Sequence, residues 1–118
     1  MITTNILLVD DHPLVRNLTL KLVRFAGYRA DAVATGAEAL AALDGGRFDI
    51  LLTDFRLGGA LNGVELAANA ESKHPGIGVI VMTAYTRVEL GPLPARYRLL
   101  EKPFSVDELA AATAALQR

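Results

Sequence analysis

The chain has 118 residues, 52% of them hydrophobic and 21% charged, a net charge of −1 and no cysteine. That length suits one domain around one core, and the composition excludes a disordered chain, a disulfide scaffold and a thiolate metal site. No Lys/Arg run offers a stripe to nucleic acid, no stretch nears the ~20 apolar residues that span a bilayer, and Asp10-Asp11 interrupts the first apolar run too early for a signal peptide, so a cytoplasmic domain is expected.

The first apolar run, Asn5 to Asp10, is continuous, which predicts a strand buried on both faces. Pro13 suits the first turn of a helix, along which Leu14, Leu18, Leu22 and Phe25 recur at helical spacing until Gly27 stops it. Tyr28 to Ala34 alternates weakly and predicts a second strand. Thr35 and Glu38 form a capping-box pattern ahead of Ala39, Leu40 and Leu43, and Gly45-Gly46 ends that helix. Phe48 to Asp54 is the third predicted strand. After a Gly58-Gly59 loop, Asn62 caps a helix with Val64, Leu66, Ala67 and Ala70 on one face, which His74-Pro75-Gly76 breaks. Ile77 to Thr83 and Tyr97 to Lys102 are the fourth and fifth strands, and Ser105 with Glu108 opens a last helix with Leu109, Ala112 and Leu116 inward. Between Thr83 and Tyr97, Gly91, Pro92 and Pro94 leave room for a short turn near Thr86 to Leu90 and then irregular chain.

Strands alternating with helices predict an α/β domain: a parallel sheet with right-handed crossovers and helices on both faces. In such a sheet ligands bind beyond the carboxyl ends of the strands, where Asp10-Asp11, Asp54, Thr83 and Lys102 all fall. Two adjacent carboxylates on a loop suit a hard cation, Mg²⁺ best, because it binds through one or two carboxylates, keeps several waters and bridges to phosphate. Asp54 would complete the protein ligands and act as a nucleophile. The metal and Lys102 would neutralise charge on transferring oxygens, and the Thr83 hydroxyl would donate to a phosphoryl oxygen. Taken singly, each residue has a plainer reading: Asp10-Asp11 as a helix cap, Asp54 as a turn former, Thr83 as a β-branched strand residue, Lys102 as a solvated lysine. Their coincidence at one sheet edge favours the joint reading. His12 and His74 lack partners at metal-ligand spacing and are assigned structural or solvent roles.

Five segments, LLVDDHP at Leu7 to Pro13, LLTDFRL at Leu51 to Leu57, NGVELA at Asn62 to Ala67, VMTAY at Val81 to Tyr85 and LEKPF at Leu100 to Phe104, make the chain resemble the receiver domain of two-component response regulators over essentially its whole length. The resemblance implies a single receiver domain over residues 1–118 with a flavodoxin-like doubly wound sheet of five parallel strands in the order 2-1-3-4-5. It implies that Asp54 is the phosphoacceptor, and that Asp10, Asp11, Asp54 and the backbone carbonyl of Arg56 hold Mg²⁺. It further implies Thr83 as the switch hydroxyl, Lys102 as the lysine of such sites, and a cis peptide bond at Lys102-Pro103, an X-Pro bond being where that form is accessible. The implied donor is a phosphohistidine on a sensor histidine kinase or a phosphotransfer protein, as in a phosphorelay. Such a module is not a turnover enzyme; it catalyses its own phosphorylation and hydrolysis, and signals by shifting between two surfaces.

The sequence departs from the family pattern twice. The interval from Thr83 to Lys102 is about one helical turn short and carries the prolines, so the family's fourth helix is expected to be short or absent. Leu99 stands at the strand-five position where the family carries an aromatic switch residue, with Tyr97 two residues earlier on the same strand face. The short segment and the Gly58-Gly59 loop look similar to receivers attached to hybrid histidine kinases. Arg56 and Tyr85, two residues beyond Asp54 and Thr83, are expected to gate water at the site. Three other readings fit less well. A hydrolase of the haloacid dehalogenase type would space its two Asp residues by one position, whereas Asp10 and Asp11 are adjacent. A flavodoxin-like cofactor binder would need Gly or Ser/Thr after the first strand to cradle phosphate. A mere docking scaffold would not need the full set of Asp10, Asp11, Asp54, Thr83 and Lys102.

Overall fold

The apolar runs are continuous because both faces of the sheet are covered. The structure, a computed structural model, describes residues 4–84 and 90–116. Strands β1 (Asn5–Val9), β2 (Arg29–Val33), β3 (Ile50–Asp54), β4 (Gly78–Thr83) and β5 (Arg98–Glu101) pair in parallel in the order β2-β1-β3-β4-β5, as expected. Helices α1 (Pro13–Phe25), α2 (Gly36–Gly45), α3 (Gly63–Lys73) and α4 (Val106–Leu116) flank them.

Successive strand residues point to opposite faces, so one run feeds two half-cores. Ile6, Leu8, Leu52, Ile80 and Met82 pack with Val23 of α1 and with Leu109 and Ala112 of α4. Leu7, Val9, Leu51, Val79 and Val81 pack with Ala39 and Leu43 of α2 and with Leu66, Ala67 and Ala70 of α3. Each fully buried Leu or Ile contributes about 1.5–3 kcal/mol relative to exposure, so a polar residue at either parity would be costly. The capping boxes at Thr35/Glu38 and Ser105/Glu108 form, and Asn62 with Glu65 makes a third. Gly27 ends α1 at φ +101°, a backbone conformation that residues with a Cβ rarely adopt.

Of the four apolar residues spaced along α1, only Leu22 packs on the core. Leu14, Leu18 and Phe25 are exposed, at 63%, 58% and 84%, whereas Val23 is fully buried, with Leu20 and Leu22 packed against that half-core. Helical spacing marks a helix, but two apolar stripes run along this one, and periodicity does not say which faces the sheet. The expected short turn near Thr86 to Leu90 lies, save for the buried Leu90, outside the described residues. The chain from Gly91 to Pro94 is irregular as expected, and Tyr97 precedes β5 instead of opening it.

Candidate functional site

Strand pairing brings the site residues together. Val9 lies opposite Thr53, so Asp10 and Asp54 leave adjacent strands at the same level. Thr83 lies opposite Glu101, and the following Lys102 N–H donates to the Thr83 carbonyl at 2.9 Å. The Lys102-Pro103 bond is cis, as the resemblance implied.

Asp10 is fully buried, and each of its polar atoms is held. Its N–H donates to the Val33 carbonyl at 3.2 Å, its Oδ1 accepts from the His12 N–H at 3.0 Å, and its Oδ2 accepts from Lys102 Nζ at 2.9 Å. Its carbonyl accepts from Arg16 Nη1 at 3.0 Å. A buried carboxylate requires such pairing. The plain cap reading of Asp10-Asp11 therefore fails: His12 caps α1, its Nδ1 accepting from the Val15 N–H at 3.3 Å. His74 is also structural, capping α3 and lying 3.1 Å from Asp44.

Lys102 Nζ also approaches Asp54 Oδ2 at 3.4 Å, so one ammonium serves two carboxylates. Among the described residues, Asp10, Asp11 and Asp54 bring carboxylate oxygens within 4.8 Å of one another. This all-oxygen set, without nitrogen or sulfur, fits a hard cation such as Mg²⁺. The Asp54 backbone is anchored as well. Thr53 Oγ1 donates to the Asp54 carbonyl at 2.9 Å, the Phe55 N–H donates to the Met82 carbonyl at 2.8 Å, and the Gly63 N–H donates to the Phe55 carbonyl at 2.7 Å. Asp11, Asp54, Arg56, Leu57, Gly58, Ala84 and Lys102 line an open cleft of about 450 Å³. Thr83 is buried beside it at the end of β4, and Arg56 is exposed at its rim. Tyr85 lies outside the described residues.

Burial pushes the Asp54 carboxyl above its ordinary value; the Lys102 ammonium opposes this, and the charges of Asp10 and Asp11 reinforce it. The folded chain thus binds that proton more tightly than the unfolded chain does. The associated stability is complete below the unfolded pKa and is lost as pH rises through the folded one. At neutral pH the ionised Asp54 is a liability to the fold. Asp54→Asn is expected to melt at a higher temperature than the parent at pH 7 in chelator, with the gap closing as pH falls through the carboxylate range. A variant that melts lower at pH 7 would contradict this.

Leu99 and Tyr97 share a face, as expected, and pack on the half-core beneath α3. Tyr97 is not poised at the carboxylates. It sits at the amino end of β5, and its hydroxyl donates to Glu71 Oε1 of α3 at 2.7 Å. Arg96 grips the same carboxylate at 2.7 Å from both Nε and Nη2, with its guanidinium 5.2 Å from the Tyr97 ring centre. Arg96 holds Glu71 below the usual carboxylate range, while burial and the Glu71 bond push the Tyr97 phenol up to about 12. Tyr97→Phe is expected to lose about 1–2 kcal/mol of stability in urea unfolding without changing cation affinity at the carboxylates. A change in that affinity would argue for an active-site role. Sequence reasoning missed this clamp, because Glu71 and Arg96 are 25 residues apart with no local pattern.

Comparison with known proteins agrees with this geometry. The family model described as the response regulator receiver domain matches residues 6–114. The chain is 34% identical over 116 residues to the transcriptional regulatory protein TcrA of Mycobacterium tuberculosis, covering 96% of this chain and 46% of TcrA, so it spans less than half of that relative's length. It is 32% identical over 107 residues to the response regulator receiver protein CpdR of Brucella abortus, covering 88% of each. Among solved structures, the response regulator TrrA of Thermotoga maritima, in complex with Mg²⁺-BeF, superposes with a TM-score of 0.84 at 28% identity, covering 97% of this chain and 99% of that one. The chain belongs to the response regulator receiver domain family.

Proposed function

We propose that residues 1–118 act as one phosphoacceptor unit of two-component signalling, in which Asp54 takes a phosphoryl group in a Mg²⁺-dependent step. The observation that carries this reading is one ammonium, Lys102 Nζ, lying 2.9 Å from Asp10 and 3.4 Å from Asp54, beside three carboxylates whose oxygens come within 4.8 Å. Carboxylates this close repel one another, and the single charge of Lys102 offsets only one of the three, so the cluster favours a further cation. The Mg²⁺-BeF bound to the similar TrrA supports Mg²⁺ as that cation. Asp10, Asp11, Asp54 and the Arg56 carbonyl would hold it, and when bound it supplies charge neutralisation for the carboxylates and the incoming phosphoryl oxygens.

An Asp54 carboxylate oxygen attacks the phosphorus of a phosphohistidine; the P–O bond forms as the P–N bond breaks, and the departing imidazole takes its proton from water. Lys102 pairs with the transferred group, and the Thr83 hydroxyl donates to one of its oxygens, which draws the carboxyl end of β4 toward Asp54 and shifts the surface a partner meets. Arg56 at the cleft rim limits the approach of water and so sets the lifetime of the phosphoryl group. The donor is a sensor histidine kinase or a phosphotransfer protein, which places the unit in the cytoplasm. Nothing turns over except the chain's own phosphoryl group. The test is incubation with Mg²⁺ and acetyl phosphate followed by intact mass. A single phosphate adduct that a chelator abolishes is expected; no adduct, or one indifferent to chelator, would overturn the reading.

A further inference from the structure

We infer that Arg16 is a positioning residue for the cation ligands, an inference that rests on the Mg²⁺ reading just given. Arg16 stands near the start of α1, half-buried, with its Nη1 donating to the Asp10 carbonyl at 3.0 Å. That carbonyl belongs to the peptide unit joining Asp10 to Asp11, and a peptide unit is planar. Holding its oxygen therefore fixes the direction in which the chain leaves Asp10 and enters Asp11. The Asp10 carboxylate is already held by the His12 N–H and by Lys102 Nζ. Asp11 is exposed, so the aim of its carboxylate depends on the backbone that carries it. The guanidinium is thus the link through which helix α1 orients the second acid of the pair. A donor that fixes a ligand from behind acts on metal affinity without touching the metal.

Arg16 acts on a cation in two opposed ways, which makes its role measurable. Its charge repels the cation, whereas its hydrogen bond prearranges the ligands. Mg²⁺ would be titrated calorimetrically into the parent, Arg16→Met and Arg16→Lys, with melting curves of each in chelator. Positioning predicts that Arg16→Met binds Mg²⁺ about tenfold more weakly although it has lost a repelling charge, and that Arg16→Lys, which keeps a donor, recovers most of the affinity. Tighter binding by Arg16→Met would show that charge alone matters. A lower melting temperature in chelator with unchanged affinity would show a merely structural residue. Either result overturns the assignment. A parent chain that binds no Mg²⁺ at all would instead overturn the Mg²⁺ reading, and this assignment with it.

Discussion

Asp54→Asn is expected to carry no phosphate after incubation with Mg²⁺ and acetyl phosphate, under conditions in which the parent chain gains one. The substitution keeps the shape of the side chain and removes the nucleophile, since an amide oxygen does not displace a phosphoryl leaving group under these conditions. The loss cannot be blamed on unfolding. Asp54 is a residue whose burial opposes its charge, so the neutral variant is expected to be the more stable of the two in the absence of metal. Full labelling of Asp54→Asn would move the acceptor to Asp10 or Asp11. Asp10 is the poorer nucleophile of these, because both of its carboxylate oxygens already accept hydrogen bonds, from the His12 N–H and from Lys102.

Gly63→Ala should be strongly destabilising, by about 1–3 kcal/mol as overpacking usually is, and should slow phosphorylation as well. The sign runs against the general rule that Ala is the better helix residue. A Cβ at position 63 would collide with the Asp54 carbonyl and press on Phe55 Cα, and these obstacles are backbone, not the tip of a flexible side chain. The first turn of α3 lies directly against the end of β3, tied by the bond from the Gly63 N–H to the Phe55 carbonyl. Separating the two elements would tilt the peptide that carries the acceptor. Urea unfolding and the rate of adduct formation read the two effects independently. A variant that gains stability would show that the contact is slack.

The strands were legible because a sheet covered on both sides keeps its central strands apolar at both parities, as at Ile6 to Val9 and Ile50 to Leu52, with the buried threonines Thr53 and Thr83 only near the strands' carboxyl ends. The site was legible for the same topological reason: strand ends in a parallel sheet gather at one edge, so four chemically weak signals reinforced one another. The face of α1 was not legible, since Leu14 and Leu18 are as apolar as Leu20 and Leu22, and only the position of the sheet decides between them. The role of Tyr97 was not legible either. Its strand face could be read from the sequence, but its hydroxyl partner, Glu71, comes from another element and anchors it at the amino end of β5. Arg16 and Gly63 fall in the same class, because each acts on the backbone of a site residue, and side-chain chemistry gives no hint of that.

The residue that carries the phosphoryl group decides the function. Chain labelled with acetyl phosphate and Mg²⁺ would be digested with protease at low pH, and the modified peptide sequenced by fragmentation. The expected result is a single phosphate on Asp54, lost on treatment with hydroxylamine as an acyl phosphate must be. A hydroxylamine-resistant phosphate, or one located on any residue other than Asp54, would contradict the account.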